Sequence, residues 1–226
     1  MRLFLCGGGS GGQTAEAARR FAGMSDRRKP LLYVPLAMEP ERYPDCLEWI
    51  KGELAPFGIS DIKMVTSAAE LAAKELEDFS GMFIGGGNTF RLLRELKMSG
   101  AFDRIKSFTE RDGVVFGGSA GAIIFGKDLS ACTLDDANDT DFRDTSGFDV
   151  LGGISLLCHY TNRTEEQDSR STDHLIRLSA WTPSIALPEE DTIFINGDSA
   201  DVIGTRPYYR FENGRRRECQ PGMMIL

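Results

Sequence analysis

The sequence predicts an α/β protein of three layers, in which helices cover both faces of a mainly parallel sheet and a β-hairpin lies near the C-terminus. Short β-branched and aromatic runs alternate with amphipathic helical segments, which is typical of strand–helix units in a parallel sheet. Glycine-rich turns follow three of the predicted strands, and Asn213-Gly214 is a hairpin turn signal. With 226 residues, 41% of them hydrophobic, the chain suits one domain spanning 1–226.

The elements follow from apolar spacing and local end signals. Ser67 with Glu70 three residues later forms a capping-box pattern, and it predicts a helix from 67 to about 79. Other helices are expected at 14–22, 44–57, around Leu92 to Leu96, at 102–111 and at 171–178, with a polar loop at 161–168. Strands are expected at 2–6, 31–35, 62–65, 81–84, 114–116, 151–158, 184–187, 192–196, 201–205 and 208–211.

The charge balance excludes one class of partner. A formal net charge of −8 and a pI near 4.9 argue against nucleic-acid binding, which needs a basic face to displace counterions. The one basic cluster, Arg215 to Arg217, is short and follows the hairpin turn. No apolar stretch approaches the length of a bilayer span, and the first residues lack a signal-peptide pattern, so we expect a cytoplasmic protein without a membrane partner. No feature of the sequence indicates an oligomeric state.

The composition also predicts that no cofactor or metal is bound. The chain has five widely spaced cysteines without a C-x-x-C pair and only two histidines, so free thiols are expected. The glycine loop at 7–12 follows a strand, as in dinucleotide sites, but its best ribose-binding acid, Asp26, is poorly placed, and we favour a ligand-facing loop. The acidic stretch 135–141 reads as a solvated surface loop rather than a metal site.

The segment from Gly117 to Gly121 has the G-x-S-x-G spacing of a nucleophile elbow, with Ser119 at the bend between a buried strand and a helix. An alternative is that its glycines only allow a strand and a helix to pack closely. A nucleophilic serine needs a base and usually an orienting acid. His159 follows an apolar strand and is the favoured base, whereas His174 falls among charged residues of a helix.

Four residues are candidates for the acid. Glu189 stands at a strand end after Pro188, where a carboxylate could lie beside the histidine, and its competitors are Glu190, Asp135 and Asp136. With Glu189 the chain order is Ser, His, acid. With either aspartate it would be the Ser, acid, His order of α/β-hydrolases.

Four segments together resemble the dipeptidase E (aspartyl dipeptidase) family of serine peptidases, to which cyanophycinase is related. They are 85–90 (GGGNTF), 118–122 (GSAGA), 159–162 (HYTN) and 186–189 (ALPE). The resemblance implies a flavodoxin-like sheet similar to that of class I glutamine amidotransferases, with a serine in place of their cysteine. It also implies the release of N-terminal aspartate from short peptides.

By this resemblance Ser119 is the nucleophile, His159 the base and Glu189 the orienting acid, while the backbone N–H groups of Gly87 and Ala120 form the oxyanion hole. The substrate-binding residues implied are Arg170, with Arg163 as its competitor for the aspartate carboxylate, and Asn88. An alternative for Arg170 is a surface role in which it pairs with Glu165 or Asp168. An alternative substrate is a β-aspartyl peptide or a small ester. A non-enzymatic alternative is a binding module in which the glycine loops hold an anion.

Overall fold

A computed structural model describes residues 1–139 and 141–224. The helices are α1 (Ala15–Met24), α2 (Tyr43–Leu54), α3 (Ala68–Ala72), α4 (Thr89–Ser99), α5 (Ala101–Glu110), α6 (Ala120–Ile123) and α7 (Glu165–Leu178). The strands are β1 (Arg2–Cys6), β2 (Leu31–Val34), β3 (Ile62–Met64), β4 (Met82–Ile84), β5 (Val114–Gly118), β6 (Ser155–Leu157), β7 (Ser184–Ala186), β8 (Thr192–Asn196), β9 (Ser199–Ile203), β10 (Tyr208–Glu212), β11 (Arg215–Cys219) and β12 (Gly222–Met224).

The central sheet is mostly parallel, as the sequence predicts. Its eight strands run in the order β12-β9-β8-β1-β5-β4-β2-β3. The last five of this order, β1, β5, β4, β2 and β3, are parallel to one another. Strands β8, β9 and β12 extend the sheet beyond β1 by antiparallel pairing. A second sheet has four strands in the order β11-β10-β7-β6, in which β6 and β7 are parallel and β10 and β11 form the predicted C-terminal hairpin.

Side chains of the central strands alternate between two hydrophobic clusters. Leu3 and Leu5 of β1 pack in the cluster that includes α3, α4 and α5, whereas Phe4 and Cys6 pack with α1 and α2 on the opposite face. This period of two is the geometry of an extended strand, and apolar residues on both faces require cover on both faces. The sheet is therefore covered by helices on both sides, which confirms the predicted layers.

Several element boundaries differ from those expected. The helix expected over 67–79 is only five residues long, α3, and is followed by a short 3₁₀ turn at Leu76–Asp78. Helix α7 begins at Glu165, inside the expected polar loop, because a Thr164–Gln167 capping box starts it. Its first turns bury few side chains and so lack apolar periodicity. Strand β9 starts two residues earlier than expected, and β12 is not anticipated by the sequence pattern.

The registers of the two sheets bring five loops together. In the central sheet Cys6 pairs with Gly118 and Ile84 with Gly117, so the loops after β1, β4 and β5 leave the sheet at neighbouring points. In the second sheet Leu157 pairs with Ala186, so the segments after the parallel strands β6 and β7 also emerge side by side. The carboxyl ends of parallel strands form the ligand crevice of open α/β sheets, and the candidate residues lie at these ends.

Candidate active site

Ser119 lies at the sharp bend between β5 and α6. Its backbone has φ 52° and ψ −114°, a conformation that side-chain-bearing residues rarely adopt. The two outer glycines of the motif are sterically required: a Cβ on Gly117 would stand 2.2 Å from the carbonyl oxygen of Gly121, and one on Gly121 would stand 2.2 Å from that of Ile84. The bend therefore has the local geometry of a nucleophile elbow.

His159 reaches this serine from the end of β6. Its Nε2 lies 2.9 Å from Oγ of Ser119. Its backbone N–H donates to the carbonyl of Gly7 over 2.8 Å, which fixes the start of the histidine loop against the loop after β1. The imidazole also packs closely over Gly8, where a Cβ would lie 2.2 Å from Cε1 of the ring, and Gly8 has a φ of +111°. The glycine loop thus leaves room for the imidazole ring beside Ser119.

Glu189, three residues beyond β7, completes a line of hydrogen bonds. Its Oε1 lies 2.9 Å from Nδ1 of His159. The backbone N–H of Glu189 donates to Oδ1 of Asn162 over 2.8 Å, and Nε2 of Gln13 donates to its Oε2 over 3.4 Å. The carbonyl of Glu189 also accepts the N–H of Gly9 over 3.1 Å. The carboxylate is thereby held from both sides.

The hydrogen bonds among Ser119, His159 and Glu189 are consistent with one assignment of donors and acceptors. An ionised carboxylate only accepts hydrogen bonds, so Nδ1 of His159 carries the proton that Glu189 accepts. The neutral imidazole then presents the lone pair of Nε2 to the hydroxyl of Ser119. This arrangement suits a general base that takes the serine proton.

The other three candidate acids have different partners. Asp135 forms an ion pair with Arg163, and Asp136 accepts the backbone N–H of Thr89 over 3.0 Å. Burial raises the pKa of Asp136, although the hydrogen bonds from Thr89 oppose that shift. Glu190 lies 3.4 Å from a neighbouring arginine guanidinium. Of the four acids weighed in the sequence, the one whose carboxylate contacts His159 is Glu189.

Gly87 and Ala120 adjoin the serine from two different loops. Ala120 begins α6 directly after Ser119, and a Cβ placed on Gly86 would lie 3.2 Å from that of Ser119. Gly87 has a φ of +135°, and a Cβ there would lie 2.4 Å from the carbonyl oxygen of Ala37. Within residues 1–139 and 141–224, neither N–H group has a hydrogen-bond acceptor. Both are therefore available to a ligand at Ser119.

Two further candidates have structural partners. Asn88 caps α4, where its Oδ1 accepts the N–H of Arg91 over 2.9 Å, and its side-chain amide donates to the carbonyl of Ala137 over 2.9 Å. His174 lies within 2.8 Å of the carbonyl of Ser130 through its Nε2. The structure thus places His174 in a contact between α7 and the segment after α6 and not beside the serine.

The two arginines predicted to bind substrate are placed differently. Arg163 is 16% exposed; it donates to the carbonyl of Cys158 over 2.9 Å and forms an ion pair with Asp135. Arg170 is exposed on α7, and among the described residues it has no ion-pair or hydrogen-bond partner. The expected alternative, an ion pair with a neighbouring acid of its own helix, is not formed. Of these two arginines, Arg170 is therefore the one without a compensating anion among the described residues.

A cavity of about 290 Å³ opens beside the serine, between the strand ends and helices α1 and α2. Its side-chain walls are Cys6, Thr14, Ala18, Trp49, Glu53, Leu54, Phe83, Phe116, Ser119 and His159. Nothing local in the sequence indicates that α2 reaches the serine, so its place in the cavity wall was not predicted. The contacts of Gln13 and Asn162 with Glu189 were not predicted either, although Asn162 belongs to the segment 159–162.

The described residues, 1–139 and 141–224, contain no group of three or more His, Cys, Asp or Glu side chains arranged to hold a metal ion. No helix among them is long and apolar enough to cross a membrane. All five cysteines are free thiols. Burial raises the pKa of Cys6 and Cys158, so these two thiols near the serine are poor nucleophiles.

Comparison with known proteins gives one consistent result. Residues 3–203 match the model of "Peptidase family S51". Peptidase E of Citrobacter koseri is 30% identical over 195 residues, covering 83% of this chain and 82% of the relative, and peptidase E of Salmonella typhi is 28% identical over 200 residues, covering 85% and 84%. The solved structure of a peptidase from an acI-B1 actinobacterium has a TM-score of 0.73 at 18% identity, covering 96% of this chain and 93% of that one, which supports the fold.

Proposed function

The chain belongs to peptidase family S51 and is a serine-type peptidase, and from this premise we propose that it releases N-terminal aspartate from short peptides, chiefly Asp-X dipeptides. In this proposal Ser119, His159 and Glu189 form the catalytic triad. The observation that carries it is the pair of 2.9 Å contacts that joins the three side chains in one line. The name peptidase E belongs to the relatives and supports a peptide substrate.

Acylation begins when His159 accepts the proton of the Ser119 hydroxyl and Oγ attacks the carbonyl carbon of the first peptide bond. The carbonyl oxygen becomes an oxyanion, and the N–H groups of Gly87 and Ala120 stabilise it. Glu189 stays ionised and holds the imidazolium in place. The intermediate collapses when His159 gives its proton to the leaving amine and the C–N bond breaks, which leaves an acyl-enzyme on Ser119.

Deacylation repeats these steps with water. His159 takes a proton from the water, the hydroxide attacks the acyl carbon, and the same N–H groups stabilise the second oxyanion. The bond to Oγ breaks, and Ser119 recovers its proton from His159. The product is free aspartate.

We assign recognition of the aspartate side chain to Arg170. A carboxylate ligand needs a cation, and the planar guanidinium of arginine can bind both of its oxygens. Arg170 is exposed and without an ion-pair partner among the described residues, whereas Arg163 is already paired with Asp135. Arg163 and Asn88 then act by holding the loops around the substrate.

The experiment compares hydrolysis of Asp-Leu and Ala-Leu. Ser119→Ala should abolish turnover of Asp-Leu without changing the circular dichroism spectrum, and unchanged turnover would overturn the triad. Arg170→Ala should raise the Michaelis constant for Asp-Leu roughly tenfold or more, the worth of a charge-assisted hydrogen bond. Arg177→Ala, on the same helix and also exposed, is the matched control. An equal effect of Arg170→Ala on Ala-Leu would refute the assignment of aspartate recognition to Arg170.

A further inference from the structure

The cavity beside Ser119 is predominantly apolar. Its side-chain lining includes Ala18 of α1, Trp49 and Leu54 of α2, Phe83 of β4 and Phe116 of β5. At about 290 Å³ it lies at the small end of ligand pockets, which span roughly 300–1,000 Å³. This volume suits a single amino-acid residue rather than a long peptide.

The cavity adjoins the imidazole that protonates the leaving group. In acylation His159 must protonate the leaving amine, so the residue that carries this amine must sit beside the imidazole. His159 and the adjoining Gly8 both line the cavity. The residues assigned to the aspartate side, Arg170 with Arg163 and Asn88, do not line it. The cavity is therefore distinct from the residues assigned to aspartate recognition.

We propose that this cavity binds the residue on the C-terminal side of the scissile bond and selects an uncharged apolar side chain there. The proposal rests on the acyl-enzyme mechanism of the proposed function but does not depend on aspartate specificity. Trp49 is the main specificity-determining residue. Its ring packs edge-on against Phe83 with centroids 6.1 Å apart, and 42% of the residue is exposed, so it forms an accessible wall and not part of the interior.

The carboxylate of Glu53 makes the cavity selective against negatively charged side chains. It is the charged residue of the cavity lining, which includes no lysine or arginine among the described residues. Its Oε2 accepts the backbone N–H of Gly11 over 2.6 Å, which holds the carboxylate at the cavity beside the glycine loop. An acidic side chain entering the cavity would meet a like charge without a compensating cation, and the α-carboxylate of a dipeptide's second residue must accordingly stay outside the cavity. The cavity should therefore disfavour glutamate and aspartate at this position.

The test uses acyl transfer from p-nitrophenyl acetate. Attack by Ser119 releases p-nitrophenol and forms an acetyl-enzyme. An added amino-acid amide then competes with water: its nitrogen bonds to the acetyl carbon, His159 takes the amine proton, the bond between the acetyl carbon and Oγ of Ser119 breaks, and Oγ receives the proton from His159. The ratio of N-acetyl amino-acid amide to acetate measures occupancy of the cavity. Leucine amide and phenylalanine amide should exceed glycine amide roughly tenfold or more, as expected for a filled hydrophobic pocket. Glutamate α-amide should be the poorest acceptor.

Variants distinguish selectivity that arises in the cavity from changes in overall acyl-transfer activity. Trp49→Ala should reduce the leucine-to-glycine ratio to about two or less, while Trp49→Phe retains most of it. Trp181→Ala is the matched control, because Trp181 is 81% exposed and does not line the cavity. Glu53→Gln should raise transfer to glutamate α-amide. Equal ratios for all amides in the wild type, or an unchanged ratio in Trp49→Ala, would overturn the proposal.

A binding measurement distinguishes failure of this proposal from failure of the acyl-enzyme. The chain has two tryptophans, so Trp181→Phe leaves Trp49 as the one indole fluorophore. Leucine amide should change its fluorescence saturably and bind more tightly than glycine amide. Such binding without acetylation of Ser119 would refute the triad and leave the cavity assignment intact. No saturable change would refute the cavity assignment itself.

Discussion

The buried carboxyl of Asp191 makes the stability of the fold depend on pH. Asp191 has 0% exposure; its Oδ1 accepts the backbone N–H of Arg206 over 3.3 Å, and among the described residues its Oδ2 has no hydrogen-bond partner. Burial raises its pKa from 3.8 to about 6, and the neighbouring Glu190 adds to the shift. The folded protein therefore binds this proton more tightly than the unfolded chain does.

The sign of the pH effect follows from this shift. The stabilisation from the bound proton is fully present below the unfolded pKa of 3.8 and is lost as the pH rises through about 6. A shift of about two pKa units corresponds to about 3 kcal/mol of unfolding free energy. Asp191→Asn keeps the Oδ1 acceptor but cannot ionise. Its stability relative to the wild type should therefore improve by up to about 3 kcal/mol between pH 4 and pH 8.

Urea denaturation at a series of pH values measures this difference. The stability difference between Asp191→Asn and the wild type should favour the variant more at pH 8 than at pH 4, and most of the change should fall between pH 4 and pH 6. Asp198→Asn is the control, since Asp198 lies exposed at the β8–β9 turn, and its difference from the wild type should stay nearly constant. A difference for Asp191→Asn that is independent of pH would refute the reasoning.

Three further predictions concern the site and its supports. Glu189→Gln should lower kcat by about 10³–10⁴ with the fold intact, because the imidazole loses the partner that orients it; a loss below tenfold in steady-state kinetics would contradict this. Gly8→Ala should lower kcat at least tenfold because its Cβ overlaps the ring of His159, whereas Gly12→Ala, with open space around its Cβ, should not, and equal kcat values would refute the steric argument. Thr164→Ala should lower the unfolding free energy by about 1 kcal/mol in urea titrations through loss of the α7 cap, and no change would exclude that role.

The parts of the site that could be predicted from the sequence are those with local causes. The bend at Ser119 follows from glycine spacing, and the structure shows that Gly117 and Gly121 face backbone oxygens at 2.2 Å. The chain has two histidines, so there were two candidates for a histidine base beside the serine. The strands could be predicted because each apolar run is short and is bounded by glycine or polar residues, and their alternation with helices predicts a parallel sheet.

The choice among the acids could not be made from local pattern. Asp135 and Glu189 are both acidic residues in polar loops, and what separates them is a distant partner: Arg163 pairs with Asp135, whereas the β6–β7 register carries Glu189 to His159. The resemblance to a family supplied what spacing could not. Strand β12 was missed for a similar reason, since its pairing with β9 is long-range and its three residues carry no alternating pattern.

The most direct test of the central claim is covalent labelling by a fluorophosphonate, followed by peptide mapping with mass spectrometry. A serine without an adjacent base does not react with this reagent, so labelling reports the activation that His159 provides. The account predicts one adduct per chain on the peptide that contains Ser119, and it predicts loss of this adduct in His159→Ala. Failure of the wild type to label, or an adduct that persists at the same rate in His159→Ala, would contradict it.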